Sequence, residues 1–230
     1  MHNIDGVTPR DQYRALGLST LAFTVCFAVW TIFSIIGVKI KQDLGLSETQ
    51  FGLLVATPIL TGSLSRIFLG VWTDQFGGRI MLPLQMLITA ISVWLLASVQ
   101  TYAVFLMIAL GLGLAGGSFI IGIAYVSRWF EAERQGTALG IFGAGNVGAA
   151  VTNFAAPFLV IAVGWEDTAR IYAVVLVVMA IVFYIFAKDD PVLVAQKKTG
   201  AKPTSAAKQL EPLKDIQVWR FATYYFFVFG

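Results

Sequence analysis

Six runs of about twenty apolar residues, divided by short polar turns, constrain this chain more than any other feature of it. A helix needs about 20 mostly apolar residues to cross the hydrocarbon core of a bilayer, where the backbone can bond only to itself. Residues 15–38, 51–72, 80–99, 102–127, 137–163 and 171–187 meet that test and are predicted to span a membrane as helices. Arg66 is the one charged residue inside them. Only 13% of the chain is charged, against roughly 25% in a soluble domain, so an ordinary water-soluble protein is excluded. The first run is too long and too weakly basic at its start for a cleaved signal peptide.

The loops alternate sides, so their basic residues can be counted by side. Eleven lie at the N-terminus or after the second, fourth and sixth spans, and three (Lys39, Lys41 and Arg170) lie on the other side. The positive-inside bias then puts the N-terminus in the cytoplasm of a multi-pass protein of the cell (inner) membrane. The basic residues are scattered between apolar runs and form no basic face, so nucleic acid is excluded as a partner and the lipid bilayer takes its place. Cys26 stands alone, which leaves neither a disulfide framework nor a cysteine-based metal site. No metal or cofactor is expected. No nucleophile, base and orienting residue stand at a recognisable spacing, so an enzyme is not expected either.

Three segments follow: a six-helix transmembrane bundle over 1–187, a polar cytoplasmic linker over 188–215, and the start of a second bundle over 216–230. The last reading rests on a seventh apolar run that begins near Trp219 and ends at Gly230 after about twelve residues, too few to cross. The sequence therefore reads as the front half of a larger polytopic protein.

Between the second and third spans stands Gly70-Val-Trp-Thr-Asp74-Gln-Phe-Gly77-Gly78-Arg79. The spacing G-x-x-x-D-x-x-G-x-R at this place resembles the signature of the major facilitator superfamily. Gln75 and Gly78 depart from it, the first where that family usually has a basic residue and the second where it often has another. The resemblance implies an all-α fold of twelve helices, of which this is the N-terminal six plus the start of the seventh. It also implies a gating role for the loop, with Gly70, Asp74, Gly77 and Arg79 latching the two bundles on the cytoplasmic side. Such a six-span half consists of two inverted three-span repeats, and Trp72-Thr-Asp74 and Trp165-Glu-Asp167 give a faint echo of that symmetry.

The fifth span reads Gly136-Thr-Ala-Leu-Gly140-Ile-Phe-Gly143-Ala144-Gly145-Asn146-Val-Gly148. Gly136, Gly140, Ala144 and Gly148 recur every four residues, a smooth face on which another helix can pack. Asn146, about 200° from Ala144, points away from that face. Its amide serves either a neighbouring helix or a ligand. Arg66 lies about 9 Å from the end of its span, near the reach of a snorkelling arginine. Either it reaches the interface or it faces a cavity and an anion, because no acid inside the spans neutralises it.

Phe142-Gly-Ala-Gly145-Asn146-Val-Gly148, with Arg128-Trp129-Phe130 before it and Gly116-Gly117-Ser-Phe119 on the fourth span, resembles the nitrate/nitrite porter family within that superfamily. The resemblance covers all six spans. It implies that Arg66 and Asn146 bind substrate beside the Phe119 ring, and that Gly140, Gly143, Gly145 and Gly148 form the glycine-rich packing motif. The function it implies is alternating-access transport of nitrate and nitrite, by exchange or with protons. The alternatives are a carrier for another small anion and a membrane sensor of the same fold that does not transport.

Overall fold

The computed structural model describes residues 7–200, 206–209 and 211–229, which form helices and turns and no strand. Span 1 comprises α1 (Pro9–Trp30) and α2 (Phe33–Leu44). Pro9 stands at the first turn, behind a Thr8 cap whose hydroxyl accepts from the Asp11 N–H. Span 2 is α3 (Glu48–Phe76), opened by a capping box between Ser47 and Gln50. Span 3 is α4 (Gly78–Leu96). Span 4 joins α5 (Tyr102–Gly113) to α6 (Ser118–Ser127) through a 3-10 turn, Leu114–Gly117.

The stretch from α7 (Ala132–Gly143) through the 3-10 turn Ala144–Asn146 into α8 (Val147–Phe186) is helical almost throughout. A straight helix of its 55 residues would be about 80 Å long, more than twice the hydrocarbon thickness. Gly164, at φ 85° and ψ 167°, folds it in two. Span 5 ends at Val163 and span 6 begins at Trp165, which restores six crossings.

Span 1 packs on span 5, span 2 on span 4 and span 3 on span 6. Exchanging spans 1, 2 and 3 for 4, 5 and 6 leaves that pattern unchanged, as two inverted triplets require. The backbone repeats as well. Gly77 ends span 2 at φ 84° and ψ 148°, the conformation of Gly164 at the end of span 5, 87 residues later. The break after Trp30 in span 1 likewise recurs as the 3-10 turn in span 4. The tryptophan echo is corrected by this register: Trp72 precedes its glycine turn and Trp165 follows its own, so the glycines correspond and the tryptophans do not.

The core is mostly aromatic and aliphatic, with Phe23, Phe33, Phe105, Tyr125, Phe142 and Phe183 fully buried. Outward faces carry exposed Leu60, Leu64, Phe68, Ile91, Phe154 and Ile161, a surface suited to lipid. Close crossings use glycine. A Cβ on Gly62 of span 2 would lie 2.9 Å from the Gly113 carbonyl oxygen of span 4, and one on Gly113 would lie 2.6 Å from that of Pro58.

The stretch after span 6, predicted as a polar linker, begins with folded structure. Asp190 is fully buried and caps α9 (Pro191–Thr199), its carboxylate accepting the Leu193 N–H at 2.9 Å. The short α10 (Ala206–Gln209) and then α11 (Ile216–Phe229) follow.

Candidate functional site

Arg66 sits in span 2, eleven residues and so about 16 Å before the Gly77 turn. Its guanidinium carbon lies 5.7 Å from the centroid of the Phe119 ring on span 4. That contact is worth about 0.5–2 kcal/mol, depending on how dry the site is. Its Nε is buried with no hydrogen-bond partner, and no carboxylate of the described residues pairs with it. The side chain lies across an aromatic wall inside the bundle. Phe119 rests in turn on Phe23 (5.4 Å between centroids) and Phe142 (6.0 Å), and those two stack at 4.9 Å. Span 1 extends the wall through Phe27 and Trp30. A planar cation seated on a ring leaves its N–H edge for a planar oxyanion, which a guanidinium fork can hold through two bonds.

Asn146 closes the 3-10 turn of span 5, four residues after Phe142, so the aromatic wall connects its helix to Arg66. Its side chain is exposed, and the amide nitrogen donates to the Gly143 carbonyl at 2.8 Å. The packing face differs from the every-fourth-residue face read from the sequence. A Cβ on Gly148 would stand 2.1 Å from the Thr24 carbonyl oxygen, and one on Gly145 would stand 2.5 Å from the Phe23 ring. On Gly136, Gly140 or Gly143 it would meet nothing within 4 Å. Gly145 and Gly148 therefore seat span 5 on span 1, while Gly140 and Gly143 lie on an open face. Thr152, one turn beyond Gly148, donates to the Ala28 carbonyl at 2.6 Å and accepts from the Tyr172 hydroxyl at 3.2 Å.

The second cluster gathers at the Gly77 end. Asp74 pairs with Arg128, from the end of span 4, and not with Arg79. Arg128 also bonds Asp190 at 3.2 Å, so one guanidinium ties span 2 to the segment that follows span 6. Arg79 lies 3.8 Å from Asp189 and 5.5 Å from the Tyr184 ring centroid. The Tyr125 hydroxyl donates to the Lys188 carbonyl at 2.6 Å, and the Lys188 ammonium reaches Asp11 at 3.1 Å. Close approach explains both glycines of the loop: a Cβ on Gly77 would meet Leu193 at 2.7 Å, and one on Gly78 would meet Tyr125 at 2.5 Å. Gly70 is looser, with only Ile120 nearby at 3.5 Å. Sequence reading named Arg128 only as part of the family resemblance, without its pairing role, and assigned no role to Asp189 and Asp190. The cap signature Asp190-Pro191 directly after an apolar run was the available signal.

Among the described residues, no three His, Cys, Asp or Glu come together to hold a metal ion.

Comparison with known proteins adds to this geometry. The "Probable nitrate/nitrite antiporter NarK1" of Thermus thermophilus is 40% identical over 96% of this chain and 51% of its own length. The "Nitrite extrusion protein" of Bacillus subtilis (strain 168) is 33% identical, covering 95% of this chain and 54% of its own. The "Probable nitrate transporter NarT" of Staphylococcus epidermidis is 30% identical over 94% and 54%. The chain thus spans about half the length of the curated relatives it matches. Among solved structures, it is similar to a bacterial homolog of the human lysosomal transporter Spinster in an inward-facing and unoccupied conformation. There the TM-score is 0.66 at 16% identity, covering 80% of this chain and 44% of that one. The sequence profile of the Major Facilitator Superfamily matches residues 18–230, and the chain, a multi-pass membrane protein, belongs to that superfamily.

Proposed function

We propose that this chain forms the N-terminal bundle of an alternating-access carrier, not an enzyme, that moves nitrate, nitrite or both across the inner membrane. In this reading residues 1–187 form the bundle, 188–215 link it to a second one, and 216–230 begin that second bundle. The excess of eleven basic residues over three supports a cytoplasmic N-terminus. One observation carries the proposal: Arg66 lies inside a span, against the Phe119 ring, with a buried Nε and no carboxylate among the described residues to neutralise it. An embedded charge costs at least a few kcal/mol, so an anionic ligand is its natural partner. Nitrate and nitrite are small, flat and monovalent, and they suit one fixed charge, the Asn146 amide and an aromatic wall. The relatives named as nitrate and nitrite transporters support the same substrates.

The coupling is either anion exchange or proton symport with its proton site outside these six spans. Proton-driven carriers bury Asp, Glu or His in a relay, whereas the acids here lie at the span ends and the one His is His2. An empty arginine site resists crossing, and a bound anion relieves it.

Labelled nitrate uptake into liposomes holding the intact carrier tests both claims. Uptake that needs internal nitrite and ignores an imposed pH gradient establishes exchange, and uptake driven by the gradient alone establishes proton symport. Arg66→Lys abolishes nitrate binding on this reading, because an ammonium cannot give the bidentate contact. Near-normal affinity in that variant would remove Arg66 from the site.

A further inference from the structure

The glycine turns give the two triplets a common register, and that register picks out a second passage-facing position. Arg66 stands eleven residues before Gly77, and Asn153 stands eleven residues before Gly164. The two turns close spans 2 and 5, three crossings apart, so they lie at opposite membrane faces. Arg66 is thus about 16 Å from one face, and Asn153 about 16 Å from the other. Asn153 is the inverted-repeat counterpart of the arginine.

Its surroundings point the same way. Asn153 is exposed and makes no hydrogen bond to any described residue. It follows Asn146 by seven residues, within about 20° of two full turns, so both amides lie on one stripe of span 5, about 10 Å apart along the axis. Gly143 and Ala150 lie on or beside that stripe, and neither is bulky. The lipid-type face is the next one round, where Phe154, Phe158 and Ile161 are 75%, 64% and 85% exposed. An amide with no partner in hydrocarbon forfeits several kcal/mol, so the stripe that carries Asn153, and Asn146 bonded only within its own turn, belongs to an aqueous passage.

We propose that Asn153 lines the outer half of the passage and hydrogen-bonds the anion on its way between the outer face and Arg66. The proposal rests on the reading of Arg66 and Asn146 as the substrate site. Span 2 is 29 residues and so about 43 Å long, which puts the Arg66 guanidinium about 27 Å from the outer end of its helix, whereas the repeat places the neutral Asn153 amide about 16 Å from that side. The amide supplies two N–H donors without a fixed charge. It strips part of the anion's hydration and lets it go, whereas a second guanidinium at that depth would hold it.

The test uses the intact carrier in right-side-out membrane vesicles, with Cys26 and any other cysteine replaced and Asn153→Cys introduced. Cys26 is itself fully buried in the bundle. A membrane-impermeant cationic methanethiosulfonate added outside modifies the introduced thiol and stops uptake, and saturating nitrate slows that modification about fivefold or more while gluconate does not. Absence of modification from outside, or modification indifferent to nitrate, overturns the proposal. Should the cysteine variant not assemble, Asn153→Ser and Asn153→Leu serve instead. The loss of one hydrogen bond predicts an external KM for nitrate raised about tenfold in Asn153→Leu, with Asn153→Ser between it and the parent. An unchanged KM in both overturns it equally. Arg66→Lys separates the two levels: normal transport there removes the substrate site itself, whereas a dead Arg66→Lys beside an indifferent Asn153 series removes only this contact.

Discussion

Gly148→Ala is the smallest substitution expected to pull span 5 off span 1. The added methyl would lie 2.1 Å from the Thr24 carbonyl oxygen and 2.8 Å from the Ala28 amide nitrogen, both backbone atoms that no rotamer change can move. Carbon and oxygen touch at about 3.3 Å, so the helices must part by about 1 Å. Overpacking of this kind costs about 1–3 kcal/mol. The same shift stretches the 2.6 Å bond from Thr152 to the Ala28 carbonyl past hydrogen-bonding distance, and Thr152 is fully buried. That adds about 1–3 kcal/mol, from which the better helix propensity of alanine returns up to about 1 kcal/mol. The net is about 3 kcal/mol. At about 2–4 °C per kcal/mol for a chain of this size, Tm falls by about 6–12 °C. Thermal unfolding of the detergent-solubilised protein, followed by loss of the monodisperse chromatographic peak, measures it. Gly140→Ala is the control, because its methyl meets nothing within 4 Å and its Tm does not fall. A Gly148→Ala protein as stable as the parent, or a Gly140→Ala protein equally weakened, would refute the assignment of the packing face.

Gly77→Ala and Gly164→Ala each force a side chain to φ near +85°, at a cost of about 1–3 kcal/mol. Gly77→Ala is the worse of the two in a thermal melt, because its methyl also strikes Leu193. Arg128→Gln leaves the buried Asp190 carboxylate without its cation and weakens the docking of α9 by about 3 kcal/mol. Hydrogen exchange at the Leu193 amide rises accordingly, and Asp190→Asn added to Arg128→Gln restores part of the protection. Trp165→Phe removes the 2.9 Å bond from the indole to the exposed Asp43 carboxylate, and its melt shifts by less than about 1 kcal/mol.

The spans were legible because lipid imposes a length and a polarity that composition cannot hide, and Arg66 stood out for the same reason. The face of span 5 was not. A four-residue stripe presumes an unbroken α-helix at 100° per residue, but the 3-10 turn Ala144–Asn146 advances about 120° per residue and rotates the helix by some 60°. Contact therefore passes to Gly145 and Gly148 and away from Gly140. The partners of Asp74 were hidden for another reason. Arg79 is near in sequence, but helix direction carries it to span 6 and Asp189, while Arg128 arrives from 54 residues away. Periodicity says which side of a helix is buried and nothing about which charge from another helix comes to meet it.

The two glycine turns are twins in backbone and unlike in chemistry, and the difference bears on how such a bundle moves. At Gly164 the charged contacts are exposed: Trp165 on Asp43, and Arg170 on Asp167 with side chains 41% and 55% exposed. The bond from the buried Thr168 hydroxyl to the Gly164 carbonyl stays at the start of span 6. Exposed pairs contribute about 0–1 kcal/mol each, so water replaces them readily. At Gly77 the Asp190 carboxylate is fully buried, Arg128 bridges it to Asp74, and Leu193 sits over the glycine. Movement at that end must either carry α9 along or expose a buried charge pair. On the proposed function, then, the segment after span 6 acts on the conformational step and not on the anion. Asp190→Asn should alter nitrate turnover severalfold while leaving nitrate affinity at Arg66 within about twofold, because the capping oxygen survives but its charge does not. Equal loss of affinity and turnover in that variant would mean that the Gly77 cluster and the Arg66 wall form one unit.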